Sequence, residues 1–101
     1  MSRRLGPTYP LATVQALVRA GAWQMTRTAF FDASALGYDQ DGAKDVMLGL
    51  TAADFYKTMA AERLPGLMQD VYRPVDQGVS LYVKVQIVAD TTTVVISFKR
   101  K

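Results

Sequence analysis

Apolar residues return at three- and four-residue intervals at Leu11, Val14, Leu17 and Val18, the stripe of an amphipathic helix, and Gly21 offers its stop. Ala22 to Thr26 alternates, with Trp23 and Met25 on one side, which predicts a short strand. Thr26 or Thr28 is placed to cap a second helix that carries Phe30, Phe31 and Leu36 and ends at Gly37. Asp39-Gln40-Asp41-Gly42 has the composition of a turn, and Ala43 to Leu50 then predicts a third helix offering Val46, Leu48 and Leu50 to a core. Thr51-Ala52-Ala53-Asp54 has the spacing of a capping box. It predicts a fourth helix through Met59, with Lys57 near its C-terminus.

Ala60 to Leu67 contains Pro65-Gly66 and reads as loop, and beyond it the period falls to two. Three strands are predicted, Met68 to Val75, Ser80 to Ala89 and Thr93 to Lys99, joined by Asp76-Gln77-Gly78 and Asp90-Thr91-Thr92. Short connections favour an antiparallel meander. Helices followed by strands make the fold class α+β, helices packed on a small, mainly antiparallel sheet.

Strand parity then divides the residues between two faces. Leu81, Val83, Val85, Ile87 and Ala89 point to the helices, as do Val94, Ile96 and Phe98 in the last strand. Tyr82, Lys84 and Gln86 point away, with Val95, Ser97 and Lys99. A hairpin centred between Asp90 and Thr91 sets Tyr82 directly across from Lys99. Gln69, Val71 and Arg73 share a side, so one face collects Gln69, Arg73, Tyr82, Lys84 and Lys99. Parity alone is met as readily by an ordinary wet face of an antiparallel sheet. Lys57 is likewise explained by a helix C-terminus, Tyr56 and Tyr72 by packing, and Lys99-Arg100-Lys101 by a frayed tail.

Composition narrows the chemistry. The 101 residues fit one domain, 1–101, with half of them apolar. There is no Cys and no His, which removes disulfides, thiolate nucleophiles and the imidazole acid or base, and fits a reducing cytoplasm. Asp39-Gln40-Asp41-Gly42 resembles the start of a calcium loop but lacks the later ligands, so no metal site is expected. Arg3-Arg4 ahead of the apolar stretch 11–18 mimics an export leader, yet Thr13, Gln15 and Arg19 interrupt it as an amphipathic helix would. No apolar run reaches membrane-spanning length. Net charge is +3, in two basic blocks separated by an acidic belt between residues 29 and 54. Such segregation focuses a field on an anionic ligand, of which nucleic acid is the commonest.

Four ordered motifs then carry a resemblance. Thr51-Ala52-Ala53-Asp54-Phe55-Tyr56-Lys57-Thr58-Met59, Gln69-Asp70-Val71-Tyr72-Arg73-Pro74, Leu81-Tyr82-Val83-Lys84 and Ile96-Ser97-Phe98-Lys99 resemble successive motifs of the MqsR toxins. Leu36-Gly37-Tyr38-Asp39-Gln40-Asp41-Gly42 fits as well, and the likeness runs from about Leu11 to the C-terminus. The family comprises ribonucleases of bacterial toxin–antitoxin systems with a RelE-like fold. The resemblance implies metal-free, cofactor-free cleavage of single-stranded mRNA, inhibition by a cognate MqsA-like antitoxin, and contact with DNA only through the antitoxin complex. It places catalytic groups at Lys57, Gln69, Tyr82 and Lys99, beside RNA-binding Arg73 and Lys84. Leu67-Met68 departs from the family pattern, in which a bulky aromatic precedes the Gln.

In such a site Lys57 and Lys99 are expected to stabilise a phosphorane, Gln69 to orient a 2′-hydroxyl or phosphate oxygen, and Arg73 to hold a phosphate. Tyr82 is the expected proton-transfer group, its phenol lowered by neighbouring cations. The rival readings are a noncatalytic nucleic-acid-binding regulator and a partner-binding module whose exposed strand accepts a strand from another protein.

Overall fold

A computed structural model describes residues 6–101. The Arg3-Arg4 part of the leader-like pattern lies outside these residues. Helix α1 (Leu11–Arg19) buries Val14 and Val18, and Gly21 at φ 81° ends the turn that follows it. Strand β1 (Trp23–Met25) leads into α2 (Arg27–Ala35), whose first turn is capped by the Thr26 hydroxyl accepting from Ala29 N–H at 3.1 Å. Helix α2 meets the core through Ala29 and Ala33, whereas Phe30 and Phe31 are exposed. Helix α3 (Gln40–Gly49) begins earlier than composition predicts. Asp39 is its N-cap, and its carboxylate accepts from Gly42 N–H at 2.7 Å. Gln15 of α1 closes the other end, donating from Nε2 to the carbonyl of Leu50 at 2.9 Å.

The predicted fourth helix is absent. Thr51 N–H does donate to the Asp54 carboxylate at 2.8 Å, but the turn it closes is a single 3₁₀ turn, Ala52–Asp54. The chain then enters strand β2 (Phe55–Ala60), antiparallel to β3 (Met68–Tyr72). Phe55, Tyr56 and Thr58 favour a pleated surface, and pairing with β3 overrides what the cap alone suggests. Lys57 is therefore a strand residue.

Strands β4 (Val75–Asp76), β5 (Val79–Val88) and β6 (Thr92–Arg100) complete the sheet. Its order is β1-β6-β5-β3-β2, with β4 paired to the start of β5. The expected meander β3-β5-β6 stands at the centre, β2 extends it antiparallel at one edge, and β1 adds a parallel edge on β6. The α+β class expected from sequence is the observed one, and it is consistent with a RelE-like arrangement. The helices pack on one face, where Leu81, Val83, Val85, Phe98, Tyr72 and Met47 are fully buried. Asp70 is buried on that side too, its two carboxylate oxygens accepting from Thr8 N–H at 2.9 Å and Tyr9 N–H at 2.8 Å. This ties the segment before α1 to β3.

Two bulges break simple alternation. In β6 the ladder slips at Ile96: Lys84 pairs with Ser97, but Val85 pairs with Val95. Hence Val95, with Phe98, packs in the core, while Val94 sits across from Gln86 and Ile96 stands beside Gln69 and Lys84. The sequence assignment of Val94 and Ile96 to the core face, and of Val95 to the opposite one, is overturned by that one inserted residue. In β2 a second slip lies between Phe55 and Lys57, at Tyr56.

Candidate active site

The face away from the helices is built in rows. Lys57 on β2, Val71 on β3, Lys84 on β5 and Ser97 on β6 are successive cross-strand partners, so they share one side of the sheet. The next row along holds Met59, Gln69 and, by the same register, Gln86 and Val94. On the other side of the first row Tyr82 pairs with Lys99. This is the pairing that sequence predicts, reached by a different route. The turn half of the hairpin is offset by one residue, and the Ile96 bulge restores the match.

The cations surround two phenol rings. Lys99 Nζ lies 5.3 Å and Lys84 Nζ 5.9 Å from the Tyr82 ring centroid. Arg73 Cζ lies 4.3 Å from the Tyr56 centroid, with Lys57 Nζ at 5.5 Å. All four distances are within reach of cation–π attraction. Tyr56 is half exposed and belongs to this face, whereas Tyr72 is wholly buried as a packing residue. Reading Tyr56 as packing is thus corrected. The bulge in β2 brings Tyr56 and Lys57 to the same side, which strict alternation forbids. The signal available in sequence was the adjacent Lys, which marks the motif but not the bulge.

Gln69 stands one row away. It is nearly buried, and its Nε2 donates to Gln86 Oε1 at 3.0 Å. Gln86 is the second residue that sequence reasoning passed over as a site group. All six candidate positions, Lys57, Gln69, Arg73, Tyr82, Lys84 and Lys99, therefore meet on one face.

Electrostatics correct one expectation. The Tyr82 phenol is raised, not lowered, from its ordinary value of 10.0, chiefly by burial and further by Tyr56. The flanking amines lie against the ring rather than overcoming its desolvation. Tyr82 is a neutral hydroxyl at physiological pH and offers a proton.

The open face of this α+β sheet sets two lysines against the Tyr82 phenol and a lysine and a guanidinium against Tyr56, beside a fixed amide, an arrangement suited by charge and hydrogen bonding to an anionic ester. The chain belongs to the family described as motility quorum-sensing regulator, toxin of MqsA, whose model matches residues 6–100. It is also 39% identical over 95 residues to the mRNA interferase toxin MqsR of Escherichia coli (strain K12), over 94% of this chain and 95% of that protein.

Proposed function

We propose that this chain, as one domain, is an mRNA interferase: the toxin of a type II toxin–antitoxin pair, cutting single-stranded mRNA in the cytoplasm and arresting growth. The observation that carries the reading is the pairing of Tyr82 with Lys99, with Lys84 over the same ring, on the sheet face where Lys57 and Arg73 lie over Tyr56. Family membership and the likeness to an mRNA interferase support it.

Cleavage uses the substrate's own 2′-hydroxyl as nucleophile. Its oxygen attacks the adjacent phosphorus, the bond to the 5′-oxygen breaks, and the products are a 2′,3′-cyclic phosphate and a 5′-hydroxyl. Lys57 and Lys99 stabilise the added negative charge of the phosphorane. Arg73 and Lys84 hold the neighbouring backbone phosphates. Gln69, fixed by Gln86, orients the attacking sugar. Tyr82 gives its proton to the departing 5′-oxygen, the role that a raised phenol fits. The 2′-hydroxyl proton leaves to water. The mechanism draws on amine, phenol and amide groups, with no cofactor.

The protein partner is a cognate antitoxin of the MqsA kind, and DNA is met only through that complex. Among the described residues no helix is long and apolar enough to cross a membrane. The test is inducible expression in a bacterium with transcript lengths followed over time. Growth arrest with loss of full-length mRNA, absent for Lys57→Ala at equal protein level, supports the reading. Normal growth and intact transcripts with folded wild-type protein present oppose it.

A further inference from the structure

The run Lys99-Arg100-Lys101, which sequence explains equally as a frayed tail, continues the β6 ladder: Lys101 N–H donates to Ser80 C=O at 2.9 Å. Lys101 therefore stands across from Ser80, two residues beyond the Lys99–Tyr82 pair and on the same side of the sheet. Beside them lies a hollow of about 320 Å³, bordered by Tyr56, Arg73, Ser80 and Lys101 and by the exposed Val75. One wall is fixed by the backbone and by a ring. Arg73 N–H donates to Asp54 C=O at 2.7 Å, and Arg73 Cζ rests 4.3 Å from the Tyr56 ring centroid. Asp54 also borders the hollow, but its Oδ2 accepts from Thr51 N–H at 2.8 Å and from the Thr51 hydroxyl at 3.1 Å, closing the turn before β2.

We propose that this hollow is a phosphate subsite, which holds a backbone phosphate of the RNA remote from the cut, with Lys101 and Ser80 as binding residues alongside Arg73. This rests on the ribonuclease reading above. The two ends of the sheet face differ in charge. Toward the β5–β6 turn it closes on the row of Met59, Gln69, Gln86 and Val94, which carries none. The opposite end adds an ammonium, a hydroxyl and a guanidinium around the hollow. A polyanion seated over Tyr82 is therefore stabilised further at the Lys101 end. Lys101 stands one pleat period beyond Lys99, roughly 7 Å along the strand, which is the order of one step of an extended nucleotide chain. An ammonium meets a phosphate as a point charge and a guanidinium through paired N–H donors, and the Ser80 hydroxyl supplies a further donor.

The test measures kcat/KM for a single-stranded RNA with one cut site, in which each linkage in turn is replaced by an uncharged methylphosphonate. Wild type is compared with Lys101→Ala and Lys101→Arg, exposed changes that keep the backbone bond to Ser80. Wild type loses about tenfold at one linkage away from the cut, the scale of one charged hydrogen bond. Lys101→Ala shows that loss already on the unmodified RNA and loses little more at that linkage, because the two changes remove one interaction. Lys101→Arg restores the wild-type pattern. Identical linkage profiles in wild type and Lys101→Ala overturn the subsite. A second readout is independent of cleavage: the salt dependence of binding to a 2′-O-methyl oligonucleotide, which cannot be attacked, followed by fluorescence anisotropy. Loss of one phosphate contact in Lys101→Ala lowers the slope of log affinity against log salt by about 0.7. That change supports the subsite even in a protein that cuts no RNA, where only the ribonuclease reading falls. Equal slopes overturn it.

Discussion

Tyr82 on β5 and Lys99 on β6 are directly paired across the ladder, and the Lys99 ammonium lies 5.3 Å from the Tyr82 ring centroid. The lysine therefore meets the ring and leaves the hydroxyl to desolvation, which raises the phenol. In the proposed reaction the ammonium supplies charge and the phenol, which keeps its proton, supplies a proton.

Tyr82→Phe removes the proposed proton donor and keeps the ring that Lys84 and Lys99 pack against. Cleavage is expected to fall by about two to three orders of magnitude with little change in RNA affinity. Single-turnover rates and filter binding on the same RNA check it. Since the phenol is raised above 10.0, no loss of wild-type rate through Tyr82 ionisation is expected up to about pH 9.

Lys57→Ala is expected to slow cleavage by about two to three orders of magnitude, the scale of losing one charge-stabilising group. Lys57 is exposed on an edge strand, so circular dichroism and melting should be near wild type. A wild-type rate in a folded Lys57→Ala protein removes this lysine from the mechanism.

Gln86→Leu frees the Gln69 amide from its 3.0 Å bond and is expected to lower kcat about tenfold with KM little changed. The informative comparison is the double variant. In a Gln69→Ala background the same change should add almost nothing, because Gln86 acts through Gln69. Additive losses would show that Gln86 merely supports the sheet.

The buried Tyr72 hydroxyl has no hydrogen-bond partner, and burial, then Asp70, pushes its pKa up to about 12. The folded state thus retains a proton that the unfolded chain releases near pH 10. Stability is fully present below pH 10 and declines as pH rises to about 12, by on the order of 2 to 3 kcal/mol from this group. Tyr72→Phe should lessen that alkaline decline and leave neutral stability unchanged or higher by about 1 kcal/mol. Urea titrations between pH 8 and 12 measure both effects.

Much of this was legible in the chain. Leu11, Val14 and Val18 announced α1, and the period-two run from Leu81 to Ile87 announced both the central strand and its polar side. The five positions from Gln69 to Lys99 were grouped correctly because parity is a local property. Three features were not legible. A capping box specifies how a turn starts and not how long it lasts, so Thr51 and Asp54 could not reveal that Phe55 to Ala60 pairs with a later strand. A bulge is one residue whose placement depends on both strands, so neither Tyr56 nor Ile96 signalled its side. The direction of the Tyr82 shift depends on burial, which charge counting along a sequence does not see.

The most direct measurement incubates the purified chain with single-stranded RNA in excess chelator, beside Lys57→Ala, and maps the ends of any fragments. The account predicts fragments with 2′,3′-cyclic phosphate and 5′-hydroxyl ends from the parent, and a loss of about two to three orders of magnitude in the variant. Intact RNA, fragments with 5′-phosphate ends, or equal cutting by Lys57→Ala would contradict it.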